Sequence, residues 1–329
     1  MTLITNWTKK KYFVALGTVI GVAILCMAFF IVQYSRSPYP FPESVVVTIP
    51  PGATVSQAGT LLEKAGVIRS HIAYRIYTIF VHDGSGIKAG SYLFDAPQSV
   101  LRVAFRTAYG VQDLTKIKVT IPEGSDSRSM AKLFTKAIPG FATSAFYLLA
   151  KADEGYLFPD TYYFYQNTTP EQVIDAMRTN FNEQTASLAT STRAFTIANK
   201  VSTDDIVIMA SIVEKEATSL ADRQIIAGIL WRRYADKYPL QVDPPFYYFL
   251  NKDSSQLTLA DLAVDSPYNL YKHRGLTPTP IDNPGFDALY ATVNPTPTKY
   301  WYYLSDSDGT MHYAVTYDQH LANKAKYVN

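Results

Sequence analysis

The segment from Tyr12 to Val32 contains no charged residue, and this feature constrains the fold more than any other part of the chain. Its 21 residues, at about 1.5 Å each in a helix, span roughly 30 Å, the hydrocarbon thickness of a bilayer. Lys9, Lys10 and Lys11 precede it and predict a cytoplasmic N-terminus. A cleaved signal peptide would have a shorter apolar region and a small-x-small cleavage site, of which Ser35-Arg36-Ser37 is a poor version. We expect an uncleaved transmembrane helix over 12–33, a cytoplasmic tail over 1–11, and all later residues outside.

Composition limits the partners of the exported part. The 329 residues carry a formal net charge of only +2, which argues against nucleic acid as a partner. Tyrosine is abundant, with 25 copies, and its ring suits carbohydrate because it stacks on sugar C–H groups while the hydroxyl stays in water. Composition alone nevertheless favours the simpler interpretation, in which these tyrosines fill core and surface.

Cysteine and histidine usage argues against metal chemistry. The single cysteine, Cys26, lies inside the predicted anchor, so the exported part has no disulfide, thiol nucleophile or cysteine-based metal site. The histidines are scattered and form no HxxxH-type pair. We expect neither a metal nor any other cofactor. The five histidines are His71, His82, His273, His312 and His320.

A strand–helix unit occurs twice after the anchor. A proline-rich linker is predicted over 34–44, where the sequence PYPFPE is stiff and extended. VTIPPGATVSQAGTLLEKAG begins at Val47, and VTIPEGSDSRSMAKLFTKAI repeats its pattern from Val119. Each copy predicts a short strand, a Pro/Gly turn and a capped amphipathic helix. With an aromatic helix over 71–81, the first copy predicts a compact α/β domain over 45–112.

The second copy opens a larger mixed α+β part, predicted over 113–329. Helices are expected near 170–195, 203–217 and 220–236, before the chain becomes rich in loops. Near the end, YWYYLSD and MHYAVT predict a β-hairpin joined by Ser307, Asp308 and Gly309. A last helix is expected from about Tyr317.

The stretch MASIVEKEAT, residues 209–218, places two glutamates at the end of a predicted helix. Ser202 and Asp205 are spaced to cap that helix at its start. Glu214 falls on the border of the apolar face, and Glu216 is turned from it by roughly 200°. A carboxyl beside apolar surface has its pKa raised by desolvation, as a general acid near neutral pH requires. The pattern selects Glu214 and leaves Glu216 as a surface charge or a supporting one.

Two interpretations of Glu214 are open at this point. It is a proton donor, or it is a helix-border glutamate paired with a lysine or arginine of the next helix, and these residues alone favour the pairing. The loops downstream carry polar groups and aromatic rings between glycines and prolines, the usual makings of a saccharide groove. Each fragment alone is also explained by turn formation. The loop residues are Gln241 and Asp243, then Tyr268, Asn269, Tyr271 and Gly275, then Asn283, Pro284 and Gly285.

Taken together, these motifs resemble a known family. ASIVEKEA, EGYLFPDTY, LQVDP, YNLY followed by GL, and NPG at 283–285 are similar to the YceG-like, MltG-type endolytic murein transglycosylases. The resemblance extends from the anchor to about His320. It implies an α+β protein with one N-terminal transmembrane helix, a small LysM-like domain over 45–112 and a catalytic domain over 113–329.

The resemblance also implies a reaction. Such enzymes cleave the β-1,4 bond between N-acetylmuramic acid and N-acetylglucosamine without water and leave a 1,6-anhydro end. In the family the first glutamate of the SIVEKE stretch acts as general acid and base, which places the role on Glu214. Internal attack by the muramic 6-hydroxyl needs no second carboxylate, unlike the usual glycosidases. The expected substrate-binding residues are Ser211, Gln241, Asp243, Tyr268, Asn269, Tyr271 and Asn283.

Some motifs depart from the family pattern around the expected groove. The chain has WRRY where the family has NRL, VDPP for DPT, YNLY for YNTY, and GLTPTPI for GLPPGPI. A lysozyme-like hydrolase using Glu214 and Asp243 is a second hypothesis, and an anchored glycan-binding scaffold without activity is a third. The resemblance implies peptidoglycan glycan strands as substrate, peptidoglycan synthases as neighbours, and a place in the inner (plasma) membrane.

Overall fold

The computed structural model describes residues 2–42, 45–81 and 86–328, and the side chains of 2–15, 28 and 31 lie outside the description. The first predicted tail residue, two residues of the predicted 34–44 linker, and His82 are therefore outside it, as are the side chains of Lys9 to Lys11 and of Tyr12. The described chain divides into two compact units, residues 1–115 and 116–329.

The first unit begins with one long apolar helix, α1 (Thr2–Ser35). Within it, Leu16–Ser35 has a mean hydropathy of 2.3 and is long and apolar enough to cross a membrane. The chain therefore has one N-terminal helix suited to membrane anchoring. The segment after it is not a free tether, because Tyr34 and Phe41 pack against the hydrophobic core of the unit.

The rest of the first unit is a two-stranded antiparallel sheet covered by three helices. Thr54 caps α2 and forms a capping box with Gln57, as the sequence predicts. The aromatic helix predicted over 71–81 is also confirmed. The elements are β1 (Val45–Ile49), α2 (Val55–Lys64), α3 (His71–Val81), β2 (Gly90–Phe94) and α4 (Val100–Tyr109), with β1 paired to β2.

The second unit repeats the strand–turn–helix start and then becomes mostly helical. Its antiparallel pair of β3 and β4 joins the second copy of the repeat to the LFPDTYYF segment. The first half comprises β3 (Lys116–Thr120), α5 (Ser127–Ala137), α6 (Thr143–Ala152), β4 (Thr161–Tyr165), α7 (Pro170–Thr185) and α8 (Ala189–Asn199).

The second half of this unit carries the predicted hairpin and last helix, both confirmed. The hairpin pairs Tyr302 with Ala314 at its open end, and α14 begins at Tyr317. The elements are α9 (Thr203–Glu216), α10 (Leu220–Ala235), α11 (Pro244–Leu250), α12 (Leu259–Leu262), α13 (Phe286–Val293), β5 (Tyr302–Ser305), β6 (Met311–Ala314) and α14 (Tyr317–Tyr327). The chain is thus a mixed α+β protein.

Helix α9 is the central helix of the second unit. Ser202 and Asp205 form the predicted capping box at its start. Nine consecutive residues, Ile206 to Glu214, are buried, so the helix is enclosed rather than covered on one face. Helices α10 and α13 pack on it, and the core around them continues to Leu240, Val242 and Leu270 in the loops. This packing fixes the end of α9, where the two glutamates lie.

Candidate functional site: two carboxylates at the end of a central helix

Glu214 is held in a closed ion pair inside the second unit. Its Oε1 lies 2.6 Å from a guanidinium nitrogen of Arg223, which belongs to α10, the next helix. Its Oε2 accepts a hydrogen bond of 3.0 Å from the backbone N–H of Gly285. Only 9% of Glu214 and 5% of Arg223 are exposed. The pairing with an arginine of the next helix, which the residues alone favour, is confirmed.

The ionisation of Glu214 follows from the same contacts. Burial raises the pKa of its carboxyl, and the charge of Arg223 opposes that rise. The rise in pKa predicted from the sequence is confirmed. Both carboxylate oxygens are nevertheless already occupied, by a guanidinium and by a backbone N–H. Protonation of this carboxyl would remove the negative charge that pairs with Arg223.

Glu216, two residues further on, faces an open cleft instead. The cleft has a volume of about 620 Å³ and is bounded by the end of α9, the 241–244 loop, the β5–β6 hairpin and α14. The sequence predicts that Glu216 is either a surface charge or a supporting one. The prediction of a surface charge is wrong, because the side chain lines this cleft. The opposite orientation of the two glutamates, expected from a 3.6-residue helix, is confirmed by their separate surroundings.

The Glu216 carboxyl has the protonation behaviour expected of a general acid. Burial raises its pKa to about 7, and the nearby charge of Asp243 adds to the rise. A hydrogen bond from the Tyr303 hydroxyl and the charge of Arg233 oppose it. At neutral pH the group is therefore divided between its acid and carboxylate forms, so it can both give and take a proton.

Three of the predicted binding residues line the same cleft, namely Gln241, Asp243 and Tyr271. The Tyr271 hydroxyl donates a 2.6 Å hydrogen bond to Oδ1 of Asp243, which fixes both side chains. Gln241 lies in the left-handed region, at a φ of 51°, and its N–H donates to the Leu270 carbonyl at 3.1 Å. A strained loop residue beside a cleft is typical of a functional site.

The other predicted binding residues serve different purposes. Asn269 is buried and braces Tyr271, accepting a 3.0 Å hydrogen bond from its N–H. Ser211 is buried on α9, where its hydroxyl accepts from the Ile281 N–H at 3.1 Å. Tyr268 lies in a separate pocket of about 260 Å³ with Arg128 and Glu154. These contacts give them structural roles that the turn-forming alternative anticipates.

Asn283 is the most heavily bonded of the predicted residues. Its Oδ1 accepts from the N–H groups of Gly155 and Leu157, each at 2.9 Å. Its Nδ2 donates to the Ser125 carbonyl at 3.0 Å and to Glu154 at 2.7 Å. Because it is completely buried, Asn283 binds parts of the fold together and has no free group to offer a substrate.

Several groups in the cleft were missed by sequence reasoning. Tyr303 and the buried Arg233 act on Glu216, and Tyr302, Tyr317 and His320 supply further aromatic rings. Tyr303 comes from the hairpin, some ninety residues beyond α9, and nothing in its local pattern marks it. The one signal in the sequence is the density of aromatic residues at 300–303, a pattern that also fits an ordinary strand.

The fold and the site define a helix-rich α+β protein in which a central helix ends in a tyrosine-lined cleft with a titratable carboxyl. The chain matches the YceG-like family over residues 47–326 and belongs to it.

The curated relatives that the chain matches share the name endolytic murein transglycosylase. The chain is 33% identical over 312 residues to the endolytic murein transglycosylase of Bacillus subtilis, covering 87% of this chain and 85% of the relative. It is 29% identical over 327 residues to the protein of the same name from Streptococcus pneumoniae, covering 87% of this chain but only 58% of that relative. A crystal structure of a YceG-like protein from Listeria monocytogenes aligns with a TM-score of 0.56 at 29% identity, over 85% of this chain and 99% of that one.

Proposed function

We propose that the protein is a membrane-anchored peptidoglycan lytic transglycosylase that cuts glycan strands internally between N-acetylmuramic acid and N-acetylglucosamine. The names of its relatives support this activity. Among the observations on the chain itself, one carries the proposal: a carboxyl with a pKa of about 7 lines an open, tyrosine-rich cleft at the end of the central helix.

The geometry favours Glu216 as the proton donor. Protonated Glu216 would donate to the glycosidic oxygen while positive charge develops at C1 of the muramic acid. The resulting carboxylate would then take the proton of the muramic 6-hydroxyl, whose oxygen bonds to C1 and closes the 1,6-anhydro ring. The proton returns to Glu216 at the end of the turnover, and no water is consumed. A group that must give and then take a proton works best with a pKa near the working pH.

The remaining cleft residues have roles that follow from their contacts. The Tyr303 hydroxyl bonds the carboxylate form of Glu216, and Arg233 stabilises that form through its charge. Tyr271 and Gln241 stand where they can contact acetamido or hydroxyl groups of the sugar. Tyr302 and Tyr317 offer rings for stacking on sugar C–H faces. Ser211, Asn269 and Asn283 would support the site through the fold.

A hydrolytic mechanism that uses Asp243 is the second candidate function. Its charge raises the pKa of Glu216, so the two carboxyl groups are close enough to interact. A nearby carboxylate is what a lysozyme-like hydrolase uses to activate water or to attack the sugar. Against this, Oδ1 of Asp243 already accepts a 2.6 Å hydrogen bond from the Tyr271 hydroxyl. A scaffold without activity would have no use for a carboxyl tuned to neutral pH.

We further propose that the N-terminus lies in the cytoplasm and that the chain after α1 lies on the outer side of the plasma membrane. Helix α1 and the short segment after it would keep the cleft within reach of newly made glycan strands. Peptidoglycan synthases, which make those strands at the membrane, are the expected neighbours. The LysM-like character of the first unit, implied by the family resemblance, belongs to the same proposal.

Paired variants test which glutamate donates the proton, because the family resemblance predicts Glu214 and the geometry favours Glu216. Glu216→Gln keeps size and a hydrogen-bond acceptor but removes the proton, and should lower the rate of strand cleavage by about 10²- to 10⁴-fold while the protein stays folded. Glu214→Gln removes the nearer carboxylate of buried Arg223 and leaves only the exposed Glu123, 3.9 Å away, so it should cost up to about 3–5 kcal/mol of unfolding free energy.

The measurement is mass spectrometry of products from purified murein, with thermal melting of each variant alongside. Anhydro-muramyl ends support the transglycosylase, whereas reducing ends, heavier by one water, support the hydrolase. An active Glu216→Gln protein beside a folded but inactive Glu214→Gln protein would return the role to Glu214. A wild type that releases nothing from murein would overturn the enzymatic proposal.

A further inference from the structure

Helices α3 and α4 of the first unit expose a continuous row of large apolar side chains. On α3 they recur four, seven and eight residues apart, and on α4 every four residues, so each helix presents one stripe. Phe80 is 81% exposed, Ile79 69% and Phe105 46%. We call this surface the α3–α4 face. It consists of Ile72, Ile76, Ile79 and Phe80 on α3 and Leu101, Phe105 and Tyr109 on α4.

The two stripes form one surface, because the helices are neighbours along their length. The Tyr74 hydroxyl of α3 and the Thr107 hydroxyl of α4 are 2.7 Å apart in the core, and the Tyr109 hydroxyl donates to the Val81 carbonyl at 3.3 Å. The opposite sides of both helices are already buried in the core of the unit. An apolar surface of this extent on a soluble monomer marks an interaction site.

The exposed charged side chains on the two helices themselves are basic, while the acids that contact these helices, Glu63 and Asp113, are paired with His71 and Arg106. Arg75 and Arg102 are exposed on the same two helices, and neither helix contains an aspartate or a glutamate. Apolar and aromatic side chains bordered by arginine are the composition of a surface that sinks into the headgroup region of an anionic bilayer.

The end of the anchor is fixed to the same unit. Tyr34, at the end of α1, packs against the core that α3 and α4 cover. Two residues beyond α1, the Ser37 carbonyl accepts a 2.9 Å hydrogen bond from Nε of Arg69. With Phe41 packed on the same core, the chain has no long tether that would let this unit leave the membrane surface.

We propose that the α3–α4 face lies in the headgroup region of the bilayer that holds α1, so that the first unit is a second, interfacial membrane contact. The proposal rests on the membrane anchoring proposed above. Its consequence is that the first unit is oriented on the lipid surface by two contacts instead of swivelling about one helix.

Site-directed spin labels on the full-length chain, reconstituted in vesicles of phosphatidylcholine and phosphatidylglycerol, test this. The single native cysteine, Cys26, is exposed on α1 and carries the label that reports the anchor itself. In a Cys26→Ser background, labels at Phe80→Cys and Phe105→Cys report the face. A label at Ser56→Cys on α2, whose side chain is exposed and polar, is the matched aqueous control.

For each spin label, the collision rate with oxygen, which concentrates in lipid, is compared with the collision rate with a water-soluble nickel chelate. We expect the Phe80→Cys and Phe105→Cys labels to favour oxygen, as at Cys26, and the Ser56→Cys label to favour nickel. Adding Ile76→Glu and Ile79→Glu should reverse the Phe80→Cys ratio while the melting temperature is unchanged, since both positions are exposed.

Other outcomes overturn the proposal in distinguishable ways. If the face labels behave like Ser56→Cys while Cys26 reports lipid, the interfacial contact fails and the anchor stands. If Cys26 also reports water, the anchoring fails first. A third outcome is that the labels on the α3–α4 face are shielded from both reagents, either at every protein-to-lipid ratio or only at high ratios. This would mean that protein and not lipid covers the face, with a second copy of the chain as the occupant.

Discussion

Asp282 is a buried carboxyl in the interior of the second unit. It is 1% exposed, and neither of its oxygens has a hydrogen-bond partner among the described residues. The nearest cation is Lys215, whose Nζ lies 4.0 Å from Oδ2. Burial raises the pKa of Asp282 well above its usual value, with Lys215 opposing and Glu214 adding to the rise. Burial therefore favours the neutral form of this carboxyl.

Replacing Asp282 by asparagine should stabilise the protein at alkaline pH. A carboxyl whose pKa is raised on folding stabilises the folded state at pH values below its unfolded pKa. As pH rises from the unfolded towards the folded pKa, the free energy of unfolding falls by up to about 1.4 kcal/mol per pH unit. Asp282→Asn removes this loss, so the free energy of unfolding of the variant should exceed that of the wild type by more at pH 8 than at pH 5. Denaturant titrations at both values measure it, with the exposed Asp287→Asn as control. A less stable Asp282→Asn at pH 8 would show that Lys215 needs the charge.

At the scale of residues, the sequence predicts local geometry well and distant neighbours poorly. The separation of Glu214 from Glu216 follows from helix periodicity alone, and the raised pKa of Glu214 follows from the apolar border. Tertiary contacts, however, decide which residues surround the two glutamates. They place Arg223 beside Glu214, and Tyr303 and Asp243 beside Glu216. No pattern within a window of a few residues contains that information, so the more accessible carboxyl could not be chosen from sequence.

Helix α10 shows how closely the elements of the second unit approach each other. Gly228 lies in the middle of α10, and a Cβ there would come within 2.3 Å of the Thr296 carbonyl oxygen. The same loop is held by the Thr296 N–H, which donates to the Gln224 carbonyl at 2.9 Å. The glycine thus allows the backbone after α13 to lie directly on α10.

Gly228→Ala should therefore destabilise the second unit, although alanine normally favours a helix over glycine by about 0.5–1 kcal/mol. The clash is with backbone and not with a movable side chain, and overpacking of this kind costs about 1–3 kcal/mol. Thermal melting decides the sign. A stabilised Gly228→Ala would mean that the loop at Thr296 moves away without cost.

Elements with strong end signals are predicted closely, and those without them are not. The capping boxes at Thr54 and Ser202 and the turn at Gly309 define α2, α9 and the β5–β6 hairpin correctly. The region predicted as one helical stretch near 170–195 is instead divided, with a tight turn at 186–188 between α7 and α8. The loop-rich sequence after Tyr238 also conceals the short helices α11 and α12, which are too brief to show a period.

Across the whole molecule, buried acids make folding a proton-binding reaction. Burial raises the pKa of Glu154 to about 7, as it does for Glu216, and it also raises those of Glu214 and Asp282. All four lie in the second unit. Asp261 behaves oppositely, since hydrogen bonds from Lys252 and Thr258 lower its pKa to about 2.

These opposite shifts place the greatest stability on the acid side of neutrality. Glu154 and Glu216 contribute stability that is fully present below about pH 4.5 and is lost as pH rises through about 7. The contribution of Asp261 is present above pH 3.8 and is lost as pH falls through about 2. The two windows do not overlap, so the free energy of unfolding should be highest near pH 4–5 and should fall steadily between pH 5 and pH 7.

Tryptophan fluorescence isolates the second unit for this measurement, because Trp231 and Trp301 belong to it and Trp7→Phe removes the third tryptophan. In detergent-solubilised full-length protein, the unfolding free energy should decrease from pH 5 to pH 7 by up to about 1.4 kcal/mol per pH unit for each raised carboxyl. Glu154→Gln retains an acceptor for the Ser127 N–H, which donates to Glu154 at 3.0 Å, and should flatten the slope by the share of one carboxyl. A stability that rises from pH 5 to pH 7, or a slope unchanged in Glu154→Gln, would mean that these acids are ionised in the folded state, and Glu216 would then lack the proton its proposed role requires.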